Sequence, residues 1–280
     1  MNIELFQDTN GKIFTLKDVI NTLKQLGADK AKILYIHTDI GFGKPLIKRK
    51  EFISKLFEAI SSLGVKTLIF PTYTFSFCNH KDYDIKNSKT DMGILNEYAR
   101  TQNNSFRTKD PLMSVCVIGE VPEEYYNLSQ FSCGIGSAFD IMSKSDENMF
   151  LFFGAKPTEC FTFLHYIEAV YKVPYRYNKK FEGNIIDENG LKTKEEYFLY
   201  TLYDTVIPYV TVDFQNHLEN KKILDRICLG EKELFLIKGK SSFEETIKCL
   251  DQNINLLLKR PYNEYKLGTT YIYGNVNSVK

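Results

Sequence analysis

Two short apolar runs, Ile33-Leu34-Tyr35-Ile36 and Val65 to Phe70, with an amphipathic stretch between them, constrain this chain's fold more than any other feature. From Lys48 to Leu63 the residues Phe52, Leu56, Ile60 and Leu63 recur at helical spacing, and Gly64 is placed to stop the helix. Strand, helix and strand in that order predict a right-handed crossover between parallel strands, which places the sheet in the α/β class. In open sheets of this kind, ligands bind at the loops that leave the carboxyl ends of the strands. Here those loops are His37-Thr38-Asp39 and Pro71-Thr72-Tyr73-Thr74. Thr and Asp are also ordinary turn residues, so the position of these loops is more informative than their composition.

The flanking segments extend the pattern. Thr15-Leu16-Lys17-Asp18 reads as a capping box opening a helix that Gly27 closes. Asp91 to Arg100 predicts a helix capped near Thr90 or Asp91, and Ser114 to Ile118 and Met149 to Phe153 predict strands. Phe75 to Asn87 is aromatic and irregular, as expected of a pocket wall. Gly134-Ile135-Gly136-Ser137-Ala138 resembles a dinucleotide loop only weakly, because it follows no clear strand and lacks the full glycine spacing. Further on, Phe181 to Ile186 and Glu196 to Tyr200 flank Asn189-Gly190, which predicts an antiparallel pair. Phe214 to Ile227 and Ser241 to Leu258 read as helices with a strand, Leu234 to Ile237, between them. The chain is read as one domain over residues 1–280, with its motifs in 32–177, packed strands and helices in 178–265, and a loosely held tail in 266–280.

Composition narrows the partners. The 36 Lys and Arg against 35 Asp and Glu leave a formal charge of +1, so no global field favours nucleic acid or an acidic membrane. Six scattered cysteines without a C-x-x-C, and an N-terminus with no basic-then-apolar segment, predict a soluble, cytoplasmic protein with reduced thiols. His80 and His217 have no companion ligands at metal spacing, and no metal is assigned.

The chemistry concentrates in Cys160-Phe161-Thr162-Phe163-Leu164-His165-Tyr166-Ile167-Glu168-Ala169, followed by Val173-Pro174-Tyr175-Arg176-Tyr177. On one helix His165 and Glu168 share a face, and Thr162 precedes them by a turn. That supplies a base, a carboxylate to orient it and a hydroxyl. The same spacing also fits a half-buried helix whose His and Glu are merely hydrogen-bonded. Cys160 is a second candidate nucleophile, but five residues on one helix place it on a different face from His165. Arg107 and Lys109 could hold phosphates or could simply be solvated.

Taken together, His37-Thr38-Asp39, Pro71 to Cys78, Thr90-Asp91-Met92-Gly93, Arg107-Thr108-Lys109-Asp110-Pro111 and Thr162 to Glu168 resemble, in order and spacing, the aminoglycoside 3-N-acetyltransferase family. The resemblance implies a three-layer α/β/α fold with a mixed central sheet, and acyl transfer from a coenzyme A thioester to an amine. It implies His165 as the base with Glu168 its partner; the oxyanion is expected at backbone amides or a hydroxyl near the same helix start, for which Thr162 is a candidate. It also implies a coenzyme-binding set of His37, Thr38, Asp39, Thr72, Arg107 and Ser114. Acceptor contacts are expected from Tyr73, Asp91, Tyr175 and Tyr177. Acetyl-coenzyme A, or another short acyl-coenzyme A, is the implied co-substrate, and a homodimer is left open.

Many drug-modifying members have two serines after the His of the first loop and His-Pro in the later one; here the positions read Thr38-Asp39 and Asp110-Pro111. The closure Val173-Pro174-Tyr175-Arg176-Tyr177 and the run Phe75-Ser76-Phe77-Cys78 are more similar to members of surface-polysaccharide pathways, and the aromatic segments Phe75 to Tyr83 and Tyr175 to Tyr177 can cover sugar faces. With no acidic excess to attract a polycation, the expected acceptor is an amino sugar, nucleotide-linked and deoxygenated, with an aminoglycoside as the alternative. A non-catalytic protein that binds coenzyme A or a nucleotide sugar is the alternative from another class, expected if the His–Glu pair is buried and dry. A sugar amine attacks only as the free base, so a histidine lifted by a carboxylate is the expected proton acceptor.

Overall fold

The computed structural model describes residues 3–204 and 206–262. In chain order the elements are β1 (Glu4–Gln7), β2 (Ile13–Thr15), α1 (Leu16–Leu26), β3 (Ile33–Thr38), β4 (Lys44–Pro45), α2 (Arg49–Ser61), β5 (Thr67–Pro71) and β6 (Tyr83–Asp84). Then follow α3 (Ile94–Arg100), β7 (Ser105–Arg107), β8 (Val115–Gly119), α4 (Ala138–Met142), β9 (Asn148–Phe153), α5 (Pro157–Cys160) and α6 (Phe163–Tyr171). The last are β10 (Arg176–Ile186), β11 (Lys192–Leu202), α7 (Val212–Asn220), β12 (Leu224–Leu229), β13 (Lys232–Lys238) and α8 (Gly239–Gln252).

A seven-stranded sheet in the order β12-β13-β9-β3-β5-β8-β7 forms the middle layer. β3 runs parallel to β5 and β9, as a crossover through α2 requires, while the outer pairs are antiparallel. Successive side chains leave a strand on opposite faces, so each central strand feeds two cores. Leu34, Ile36, Leu68, Phe70, Leu151 and Phe153 face one core with α1, α2 and α3. Ile33, Tyr35, Ile69, Phe150 and Phe152 face the other, with residues of α4, α6, α7, α8 and the β10–β11 hairpin. The result is the expected three-layer α/β/α arrangement with a mixed sheet.

Local chemistry accounts for the ends. Thr15 and Asp18 make both halves of the capping box, and Gly27 closes α1 in the left-handed region. Gly154 has φ +79, and a Cβ there would lie 2.1 Å from the Asp39 carbonyl oxygen, so only glycine lets the ends of β3 and β9 meet. The 11-residue strands of the β10–β11 hairpin are turned by Asp187, whose carboxylate accepts from the amides of Asn189 and Leu191.

Several expectations change. The helix expected over Phe214 to Ile227 stops at Asn220; Lys222 enters the left-handed region with φ 57, and Leu224–Leu229 turns back as β12 beside β13. The helix expected through Leu258 ends at Gln252, where the Asn253 side chain accepts from the Asn255 amide in a local turn. Phe75 to Asn87 is packed more than it is open: Phe77 and Tyr83 are buried, and β6 pairs with the end of β10. Gly134 to Ser137 forms a loop ahead of the five-residue α4, which Ala138 opens, without a strand before it, so no dinucleotide turn is built. The expected tail lies outside the described residues. Among those described, no helix is long and apolar enough to cross a membrane.

Candidate active site

The segment from Lys156 to Tyr171 does not form one helix. α5 ends at Cys160, Phe161 breaks the path with ψ 74, and α6 begins after Thr162. The helical-wheel argument that separated Cys160 from His165 therefore lapses, since the two lie on different helices. Both nevertheless line one cavity of about 250 Å³, together with Thr162, Glu168 and Arg176 on its polar side. Phe161, Leu164, Pro208, Tyr209, Val210 and Leu257 form the apolar walls.

His165 is the third residue of α6, and its side chain is 32% exposed, whereas Glu168 below it is 3% exposed. Their closest approach, Nδ1 to Oε2, is 3.5 Å. The nearer neighbour is Arg176, at the start of β10. Its Nη2 lies 2.9 Å from His165 Nδ1, its Nε 2.8 Å from Glu168 Oε2, and its Nη1 donates to the Tyr200 carbonyl. A guanidinium can only donate, so neutral His165 in this arrangement accepts at Nδ1 and carries its own proton on Nε2.

The charges follow from the same contacts. Burial, and then the Arg176 charge, hold the His165 imidazolium below its ordinary range, and Glu168 opposes them without prevailing. The expected upward lift is thus reversed, first because the ring is buried and second because Arg176 sets a cation against the carboxylate's field. Burial disfavours the Glu168 carboxylate, but Arg176 and His165 outweigh it and keep it ionised below its usual value. Tyr175 is fully buried beside Glu168, and burial raises its phenol far above the ordinary value.

The other expected residues divide. Thr162 holds the N-terminus of α6, and its hydroxyl meets Tyr73 Oη at 3.2 Å, which in turn meets Tyr35 Oη at 2.7 Å. Cys160 lies near the Lys156 carbonyl, and burial pushes its thiol up to about 12, so little thiolate exists near neutrality. His37 stacks on Phe152 with centroids 4.8 Å apart, and burial brings its imidazole down to about 3. Thr38 donates to Asn96, and Asp39 is paired with Lys232.

Arg107 is buried and spends its donors on the carbonyls of Thr72, Ile85 and Ser88 and on the Thr72 hydroxyl. Thr72 and Ser114 are fully buried against each other, the Ser114 hydroxyl donating to the Thr72 carbonyl at 2.7 Å. These three residues tie loops together and do not reach the His165 cavity. Arg107 instead borders a separate polar groove of about 720 Å³ beside residues 85–87 and 100–105. Asp91 is exposed, and Tyr177 stacks on Tyr203 at 4.9 Å. The structure thus brings together Thr162, His165, Glu168 and Tyr73, with Tyr175 beneath. It adds Arg176 and the 208–210 wall, which no spacing rule ties to the His-bearing helix.

Comparison with known proteins points the same way. The aminoglycoside 3-N-acetyltransferase family model matches residues 42–251. No curated protein matches the chain in sequence. Among solved structures, the aminoglycoside acetyltransferase AAC(3)-IVa apoenzyme is similar with a TM-score of 0.70 at 18% identity, covering 93% of this chain and 94% of that one. AAC-IIIb, solved as a binary complex with CoASH, gives 0.70 at 16% over 89% and 98%. YokD from Bacillus subtilis gives 0.71 at 16% over 92% and 97%. At such identities the likeness is one of fold.

Proposed function

The chain belongs to the aminoglycoside 3-N-acetyltransferase family and is an acyl-coenzyme A N-acetyltransferase, and from that premise we propose that it acylates the primary amine of an amino sugar with His165 as the base. One observation carries the reading: a histidine that is 32% exposed lines a cavity and contacts a buried Glu–Arg pair. A pair that were only structural would not need the ring at the surface of a cavity.

To accept a proton at Nε2, His165 must first carry its own proton on Nδ1, facing Glu168, with Arg176 withdrawn to its Nε contact. The amine nitrogen then attacks the thioester carbon as its proton passes to Nε2. The tetrahedral intermediate collapses with breakage of the C–S bond, and the proton moves from Nε2 to the departing sulfur. Thr162, held by the Tyr73–Tyr35 hydroxyl chain, is the oxyanion donor in this scheme; one such donor is typically worth roughly 3 kcal/mol. In this scheme the thioester is held at the strand-end loops by His37, Thr38 and Asp39, with Thr72, Arg107 and Ser114 supporting the loops. Tyr73, Asp91, Tyr175 and Tyr177 remain the proposed acceptor-side residues, Tyr73 and Tyr175 acting through Thr162 and Glu168.

The acceptor reading is supported by the cavity's chemistry. Its walls are apolar and aromatic, and of its two carboxylates Glu168 is neutralised by Arg176 while Glu159 pairs with Lys156. Such a surface suits a deoxyamino sugar, nucleotide-linked, better than a polycation. The alternative, an aminoglycoside, is favoured by the gentamicin complex of an AAC(3)-IVa mutant, which has the same fold. Coenzyme A release measured across nucleotide-linked amino sugars, free amino sugars and aminoglycosides decides. Turnover of the nucleotide sugars is expected, and turnover of the drugs alone reverses the ranking.

A further inference from the structure

Away from the His165 cavity, side chains of α7 and α8 meet and bring three ligand-type groups together. His217 of α7 has Nε2 at 2.8 Å from Glu245 Oε1 and 3.6 Å from Cys249 Sγ. Glu245 and Cys249 stand one turn apart on α8, and all three ligand atoms lie within 4.8 Å of one another. The sequence conceals this group because the partners of His217 are 28 and 32 residues downstream.

We propose that His217, Glu245 and Cys249 form a zinc(II) site with a fourth position open to water, which pins α7 to α8. Zinc bonds of about 2.0–2.1 Å to nitrogen, 2.0–2.2 Å to oxygen and 2.3 Å to sulfur, at a tetrahedral angle, place nitrogen and sulfur about 3.6 Å apart and nitrogen and oxygen about 3.3 Å apart. The observed nitrogen–sulfur distance already matches, the nitrogen–oxygen pair has to open by about half an ångström, and the oxygen and sulfur, within 4.8 Å of each other, have to settle at about 3.6 Å. Glu245 is 11% exposed and His217 40%, so the set lies at the surface with one ligand anchored inside. Lys221 and Lys248 lie 3.6 and 3.5 Å from the carboxylate, but they are 54% and 67% exposed and free to turn to water as the cation enters. On binding, the thiol loses its proton to solvent and the thiolate becomes the sulfur ligand.

The site acts beyond its own helices. Three residues before α7, the Tyr209 amide donates to the Leu257 carbonyl beyond α8, and the Lys259 amide donates to Ile207. Tyr209 and Leu257 both line the cavity beside His165. An ion that clamps α7 on α8 therefore holds both flanks of that wall.

The purified protein should take up one equivalent of zinc in competition with a chromophoric chelator, and cobalt(II) in its place should show a thiolate charge-transfer band. Cys249→Ser should abolish that band, and both it and His217→Gln should weaken zinc binding at least about tenfold, since even partners behind a ligand cost tenfold or more. Cys228→Ser, at an exposed position on β12, should change neither. His217 is exposed enough that its variant keeps the fold, which circular dichroism checks. Absence of saturable zinc uptake, a cobalt spectrum without the sulfur band, or wild-type zinc affinity in the Cys249 and His217 variants overturns the proposal.

Discussion

Replacing Glu168 by Leu should destabilise the protein far more than replacing the histidine it touches. Glu168 and Arg176 are both 3% exposed and 2.8 Å apart, so removing the carboxylate strands a guanidinium in the interior. Breaking such a pair from one side costs about 3–5 kcal/mol. Arg176→Met strands the carboxylate instead, and it also takes the donor from the Tyr200 carbonyl, a further cost of about 1–3 kcal/mol. The double variant removes both charges and leaves only that second cost. Urea unfolding of the wild type, both single variants and the double variant closes the cycle. The double variant should fall short of the summed single effects by at least about 3 kcal/mol, whereas independent sites add within about 0.5 kcal/mol. Additivity would refute the claim that Arg176 is the principal partner of Glu168, and with it the share of the His165 depression assigned to Arg176 after burial.

Three further outcomes follow from the same geometry. Because burial and Arg176 hold His165 below its ordinary range, the acid limb of kcat/KM should lie below pH 6.5, and Arg176→Met should move it upward; an unmoved limb in that variant contradicts the assignment. His165→Ala should lower kcat by about a hundredfold to ten-thousandfold with coenzyme A affinity nearly unchanged, and Cys160→Ala should stay largely active, its thiol being held near 12; inverted results in one assay would move the chemistry to the cysteine. His37, brought down to about 3, is neutral in the folded state while the unfolded chain takes up a proton below 6.5, so it removes stability as pH falls through that window, by about 1.4 kcal/mol per unit. Asp110, pushed up to about 6 by burial, contributes in the opposite sense at the acid end of the window. His37→Phe should therefore gain on the wild type progressively from pH 7 to pH 5 in urea titrations, and a constant difference refutes it.

What was legible in the chain was what is local. The capping box at Thr15 and Asp18, the stop at Gly27 and the turn at Asn189-Gly190 each rest on residues a few positions apart, and the structure has them. His165 and Glu168 were visible for the same reason, being one turn apart on α6. Arg176 was not, since it reaches back from a strand to a helix and its neighbours in sequence give no sign that it is buried. The stop at Lys222 was equally hidden, because a lysine in the left-handed region carries no compositional mark. Arg107 shows the same limit: its loop left it open between a phosphate ligand and a solvated cation, and nothing local foretold that its donors close on four acceptors of the protein itself.

The central claim is that the amine attacks the thioester directly, with His165 as the base and no acyl-enzyme. The most direct measurement mixes the protein with an equal amount of acetyl-coenzyme A, first without and then with an amino-sugar acceptor, and follows free coenzyme A and the intact protein mass. The account predicts no coenzyme A and no mass change until the amine arrives, then stoichiometric release that is lost in His165→Ala. A one-equivalent burst of coenzyme A before the acceptor is added, with an acetyl group found on Cys160, would contradict it.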